Sequence, residues 1–206
     1  MIGSGILKKI YIFIVIILIF SSIFFIKFNP FSDNQLKEVS YDVDESLQEI
    51  TMLRAYEIGI EKAKTYDDEP ELVYLNSVDD KKVSGGDGKK GNWQGIISLP
   101  NKNQRFIFAI EKGELKNFKF MDGSEKLTIK DSDIKVDSDQ IVMQAVTEFK
   151  LEPGNNQFSN GYHFRILRDE KNIFMAVNGQ VDKKEMEIYY NPKDGKYMGN
   201  TEDAID

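Results

Sequence analysis

The chain has 206 residues, with 27 Lys and Arg against 34 Asp and Glu, one His and no Cys. Hydrophobic residues at 41% and aromatics at 12% are enough to build a core, so the chain is not disordered as a whole. The absence of cysteine excludes disulfide scaffolds, thiolate zinc sites and cysteine nucleophiles, and neither supports nor opposes export.

The charge is unevenly placed. Residues 1–27 hold Lys8, Lys9 and Lys27 and no acid, so the remainder carries 24 basic against 34 acidic residues, or −10. Clustered cations are what phosphate binding needs, so this balance argues against a nucleic-acid partner; it suits a basic protein partner, and solubility alone also accounts for it.

Residues 1–9 read as a short cytoplasmic terminus. Residues 10–26, IYIFIVIILIFSSIFFI, carry no charge. At ~1.5 Å per residue they span about 26 Å, close to a hydrocarbon core. Lys8 and Lys9 precede them and only Lys27 follows closely, so the positive-inside rule keeps the N-terminus in the cytoplasm and exports the rest. No small-x-small cleavage site follows Ser21-Ser22 and no lipobox cysteine exists. The expectation is an uncleaved, single-pass anchor over 10–27, with the polar, Pro30-containing stretch 28–44 as a linker leaving the membrane.

Two helix-plus-sheet units follow, 45–130 and 131–206. In 45–66, Leu53, Tyr56, Ile60 and Ala63 recur at helical spacing; Asp44 is the predicted cap and Asp67–Pro70 the stop. Gly59 allows close packing on a sheet. Strands are predicted over 71–78, 93–99, 104–110 and 115–121, with Phe118 and Phe120 on one face and Lys119 on the other. Between the first two, SGGDGKKG (84–91) reads as a flexible loop. The second helix begins at Asp137 with a capping-box Gln140 and carries Val142, Ala145, Val146 and Phe149; Pro153 to Asn156 stop it. Strands 161–167, 172–177 and 184–190 come next, with Asn178-Gly179 as a hairpin turn and Asp194-Gly195 turning the chain into a last strand. Trp93 and Tyr162 open what read as corresponding strands. The expected class is α+β with a diverged internal duplication; the pattern leaves open whether the two sheets join.

RAYEIGIEKAK (54–64) and EMEIYYNPKDGKYMG (185–199), with Tyr190, Asn191, Asp194 and Gly195 in order, resemble the helix and terminal hairpin of the PepSY and YpmB-like, cystatin-like group of exported bacterial domains. The first unit departs from that pattern in its long 81–92 loop and at Met121-Asp122-Gly123. The resemblance implies a non-enzymatic module of the cell envelope with no catalytic motif. Heavy use of Lys, Ile, Asn and Asp fits an AT-rich Gram-positive source.

Candidate chemistry is sparse. His163 is predicted on a strand face with Arg165, and no G-x-S-x-G elbow accompanies it. Gly88-Lys89-Lys90 lacks the Ser/Thr of a phosphate loop, and Val83 stands at its first glycine. Asp131, Asp133, Asp137 and Asp139 alternate, yet Val136 and Val142 occupy the Gly and Glu positions of a calcium loop, so the run reads as a solvated connector. No catalytic, metal or cofactor-binding residue is singled out. The expected function is a membrane-anchored, extracytoplasmic, non-enzymatic protein-binding or regulatory module, such as an inhibitor or immunity protein. The alternatives are a structural subunit of a transmembrane secretion or conjugation assembly and, less favoured, an envelope hydrolase.

Overall fold

The computed structural model describes residues 49–79, 83–156 and 159–202, all within one compact unit, 44–206. The predicted anchor, the linker and the start of the first predicted helix, Asp44 included, lie outside the described residues. Among the described residues no helix is long and apolar enough to cross a membrane.

The helices are α1 (Met52–Ala63) and α2 (Ser138–Phe149). The strands are β1 (Glu71–Ser77), β2 (Trp93–Leu99), β3 (Gln104–Glu111), β4 (Glu114–Asp122), β5 (Gly154–Asn156), β6 (Ser159–Gly161), β7 (His163–Arg168), β8 (Ile173–Val181), β9 (Lys184–Tyr190) and β10 (Tyr197–Asn200). Eight of them form one antiparallel sheet in the order β10-β9-β8-β7-β1-β2-β3-β4, and β5 pairs with β6. The two predicted units therefore share a sheet. Each half runs from a helix into a four-stranded meander, and the halves meet through β1 and β7. The likeness is one of connectivity. Trp93 opens the second strand of its half, whereas Tyr162 precedes the first strand of the other, so the two aromatics are not equivalent.

Both helices lie on the same face. The register aligns Leu75, Ile166 and Met175 across β1, β7 and β8. These join Phe106, Phe108, Trp93, Ile188 and Tyr190 in a continuous core with Tyr56 and Ile60 of α1 and Ile141 and Val142 of α2. Alternation along each strand sends the intervening side chains to the other face.

Helix α1 starts at Met52, later than the predicted span 45–66, and its apolar stripe from Leu53 to Ala63 lies within it. Ile50 is held extended by a two-way backbone bridge to Lys90, and Thr51 Oγ1 accepts from the Arg54 amide. The next two amides are capped from the other half: Met52 N donates to Ser138 Oγ at 2.9 Å and Leu53 N to Asp137 Oδ1 at 2.9 Å. Asp137 also caps its own helix in the predicted box with Gln140, so one two-residue segment satisfies the first turns of both helices. At the far end of α1, the buried Asp67 carboxylate accepts from Glu69 N, Asn101 N and Asn101 Nδ2, tying the helix exit to the β2–β3 turn.

Several local expectations are overturned. Val146 points outward, and Ile141 takes the core position beside Val142 and Ala145. Asn178-Gly179 lies inside β8; the turn falls at Asp182-Lys183, both with positive φ. Gly179 is glycine for another reason: a Cβ there would sit 2.5 Å from Glu152 O, where the chain crosses β8. The 84–91 loop is packed, not flexible: a Cβ on Gly88 would lie 2.2 Å from Asp139 N, and Gly88 O accepts from Ser138 Oγ at 2.6 Å.

Gly59 makes the close approach its position predicts. The Phe108 ring fills a notch between Gly59 of α1 and Gly95 of β2; a Cβ would fall 2.4 Å from the ring at Gly59 and 2.5 Å at Gly95. Gly59→Ala ordinarily gains about 1 kcal/mol of helix propensity. Here overpacking dominates, and the expected result in chemical denaturation is a net loss of about 1–3 kcal/mol, much of it recovered by adding Phe108→Leu.

Candidate functional site

His163 is the natural starting point. At the head of β7, its Nδ1 lies 3.3 Å from Ser77 Oγ and its Nε2 lies 3.2 Å from Asn160 O. The carbonyl can only accept, so Nε2 donates to it, and in the neutral ring Nδ1 accepts from the Ser77 hydroxyl. Ser77 is buried, and its oxygen also accepts from Phe164 N at 2.9 Å. The hydroxyl thus meets His163 and accepts from the Phe164 amide, fastening β1 to β7. The pairing of Ser77 with His163, invisible in sequence, is a clip between the two halves.

The loop beside it is equally occupied. Tyr162 N donates to Ser84 O at 2.8 Å, and the fully buried Lys90 reaches Ser84 Oγ at 2.7 Å. The four aspartates of the 131–139 run separate. Asp131 accepts from Tyr56, Asp133 from Lys130 N, Asp137 from the helix amides and Asp139 from Gln140 N. Among the described residues, no group of three His, Asp or Glu is disposed to hold a metal.

Three surfaces remain. The first is the sheet face opposite the two described helices, at the join. Arg165 of β7 reaches over Ala176 of β8 to pair with Glu187 of β9, and Tyr189 OH donates to the same carboxylate oxygen at 2.8 Å. Both side chains of the ion pair are close to nine-tenths buried. Burial opposes the Arg165 charge, but Glu187 and Tyr74 hold its pKa above the ordinary guanidinium value. Burial, reinforced by Glu187, raises the Tyr189 hydroxyl; burial raises Tyr74 as well, partly offset by Arg165. Asn76 Oδ1, Arg165 Nε and Asn178 Oδ1 on this face are buried without a protein partner.

The second surface is the β4 edge. Among the described residues this strand pairs only with β3, and each of its residues except Leu115 is exposed. Phe118 and Phe120 lie opposite Phe108 and Phe106, as alternation predicts, and Lys119 lies on the other face. Both rings pack on Tyr66, Phe120 edge-on at 4.9 Å, and Lys62 stands 5.2 Å above Phe118. Even so, Phe118, Phe120 and Met121 are 42%, 39% and 38% exposed. The third surface is a cavity of about 290 Å³ at the β7–β8 and β9–β10 turns, lined by Arg168, Lys171 and Lys193 among others. Sequence reading missed the ion pair and the cavity because their members come from different strands and turns; the alternation in β4 was the one legible signal.

The ion pair can be tested by removing one member. Glu187→Leu leaves a buried guanidinium uncompensated, at an expected cost of about 3–5 kcal/mol. Adding Arg165→Met should restore most of the loss, because two apolar groups of similar volume replace the pair. Equilibrium denaturation of the single and double variants checks this.

No family model matches the chain, and no curated protein matches it. Among solved structures, it is similar to a candidate lipoprotein from Clostridium difficile 630 at 16% identity, with a TM-score of 0.47, over 70% of this chain and 90% of that one.

Proposed function

We propose that the protein is a membrane-anchored, extracytoplasmic module of the cell envelope that binds another protein and performs no catalysis of its own. The observation that carries this reading is the β4 edge. A nine-residue strand borders the sheet among the described residues and carries two exposed phenylalanines on its helix-side face. Natural edge strands are ordinarily shortened, charged or covered. β4 carries Lys116 and Lys119, yet it keeps a run of three apolar side chains, Phe118, Phe120 and Met121. The fitting occupant is an extended segment of a partner protein, added as a ninth strand with apolar residues facing Phe118 and Phe120.

Charge complements this contact. The chain beyond residue 27 carries −10, which speeds encounter with a basic partner and gives way to short-range strand pairing once contact is made. The uncharged 10–26 segment supports placement at the membrane, and the helix-then-meander connectivity supports the PepSY-like, cystatin-like reading. One form of this role is an inhibitor or immunity protein held at the outer surface. Ser77 supports the non-enzymatic reading, since its hydroxyl is engaged in joining strands.

A photo-crosslinking residue placed at Phe120 in the full chain, in its native membrane, tests the proposal. The expected product is a discrete adduct with one other protein, absent when the probe replaces exposed Glu170 and lost when Lys119→Pro disables strand addition at β4. Identical adducts at both positions, or none at Phe120, would overturn it.

A further inference from the structure

The cavity at the β7–β8 and β9–β10 turns takes no part in the β4 contact. Its cations come from separate segments: Arg168 from the end of β7, Lys171 from the turn after it, and Lys193 from the turn between β9 and β10. In a chain with more acids than bases, these three face one acid in the lining, Asp133. None of the three cations forms an ion pair among the described residues, whereas other lysines and arginines do, as Lys116 does with Glu114 and Arg105 with Glu125. Three cations that line one recess repel one another, a cost that an anion bound there would relieve.

The walls are set in place by the backbone. Asp169 Oδ1 accepts from Lys171 N and Asn172 N, both at 2.7 Å, closing the turn that carries Lys171. Asn191 Oδ1 accepts from Lys193 N at 2.8 Å, and Pro192 O accepts from Lys135 N and Val136 N, which pins the second turn to the segment before α2. Arg168 Nη1 donates to Thr128 O at 2.8 Å, holding the guanidinium with its other donors available. Ile173, Pro192 and Met198 add apolar lining.

We infer that this cavity binds a small dianion, of which a phosphate monoester is the chemical type. In the lining three cations face one carboxylate, an excess of positive charge that suits a phosphate monoester; Asp169 and Glu170 of the same turn reduce that excess from outside the lining. A volume of about 290 Å³ lies at the lower limit for small-molecule sites, which suits a phosphate head and excludes a dinucleotide. The same chemistry is offered by a soluble phosphate ester and by a lipid whose headgroup ends in a phosphate.

The test uses the full chain in uncharged detergent, at constant ionic strength set by chloride, with isothermal titration of inorganic phosphate, glycerol phosphate and a short-chain phosphatidic acid. Saturable binding of a phosphate is expected, weakened about tenfold for each lysine removed in Lys171→Gln and Lys193→Gln. Both lysines are exposed, so an unchanged thermal midpoint will show that these variants fold. Phosphatidic acid binding at least tenfold tighter than glycerol phosphate identifies a lipid headgroup as the source; equal affinities identify a soluble ester. Absence of saturable binding of every probe, or affinity within twofold of wild type in the double lysine variant, would overturn the inference.

Discussion

The structure depends on the antiparallel contact between β1 and β7. Only Tyr74, Leu75 and Asn76 pair there, with Leu167, Ile166 and Arg165, yet this short ladder turns two four-stranded meanders into one eight-stranded sheet. A four-stranded meander with a single helix buries little apolar surface, and small units of that kind are marginal. Joining them places Leu75, Ile166 and Met175 in line beneath both helices. It also brings Trp93 of one half against Phe164 of the other, with ring centroids 6.3 Å apart.

The contact is reinforced at both faces and at one end. On the helix side, Ser77 takes the Phe164 amide and meets His163. On the open side, Arg165 departs from the same junction to reach Glu187. At the end, Asp137 and Ser138 cap α1 as well as α2, and Gly88 passes too near Asp139 for any other residue to stand there. Polar groups thus concentrate near the place where the halves meet. Hydrophobic burial supplies most of the stabilisation, while these hydrogen bonds select one arrangement of the apolar surfaces among many.

Much of the local structure was legible in the sequence. Period-two alternation located β1 to β4 within a residue or so, and the Asp137–Gln140 box marked the start of α2. What could not be read is what distant residues do to one another. Ser138 caps Met52 across 86 positions, and no local pattern announces it. Asn178-Gly179 carries the strongest hairpin signal in its region, but Asn178 pairs within β8 and the glycine answers to the crossing of Glu152. The glycines of 84–91 looked like freedom and are close approaches. Val146 fitted the helical stripe as well as Ile141 did; the sheet decided which faced inward. Of the candidate surfaces, the β4 aromatics were visible because they lie on one strand. The cavity was not, because its three cations are drawn from a strand end and two turns.

The proposed binding role rests on how these groups are placed. Ser77 and His163 join the halves, the buried Lys90 reaches Ser84 within the first half, and the surfaces left over are an apolar strand edge and a basic recess. The central claim is that the β1–β7 join makes the halves a single cooperative structure. Native-state hydrogen exchange of the full chain tests it most directly. Amides of Leu75 and Ile166 should open only in global unfolding, with the same free energy as core amides of β3 and β9. If the α2–β10 half exchanged at a distinctly lower free energy while β1 to β4 stayed protected, the halves would be independent and the claim would fail.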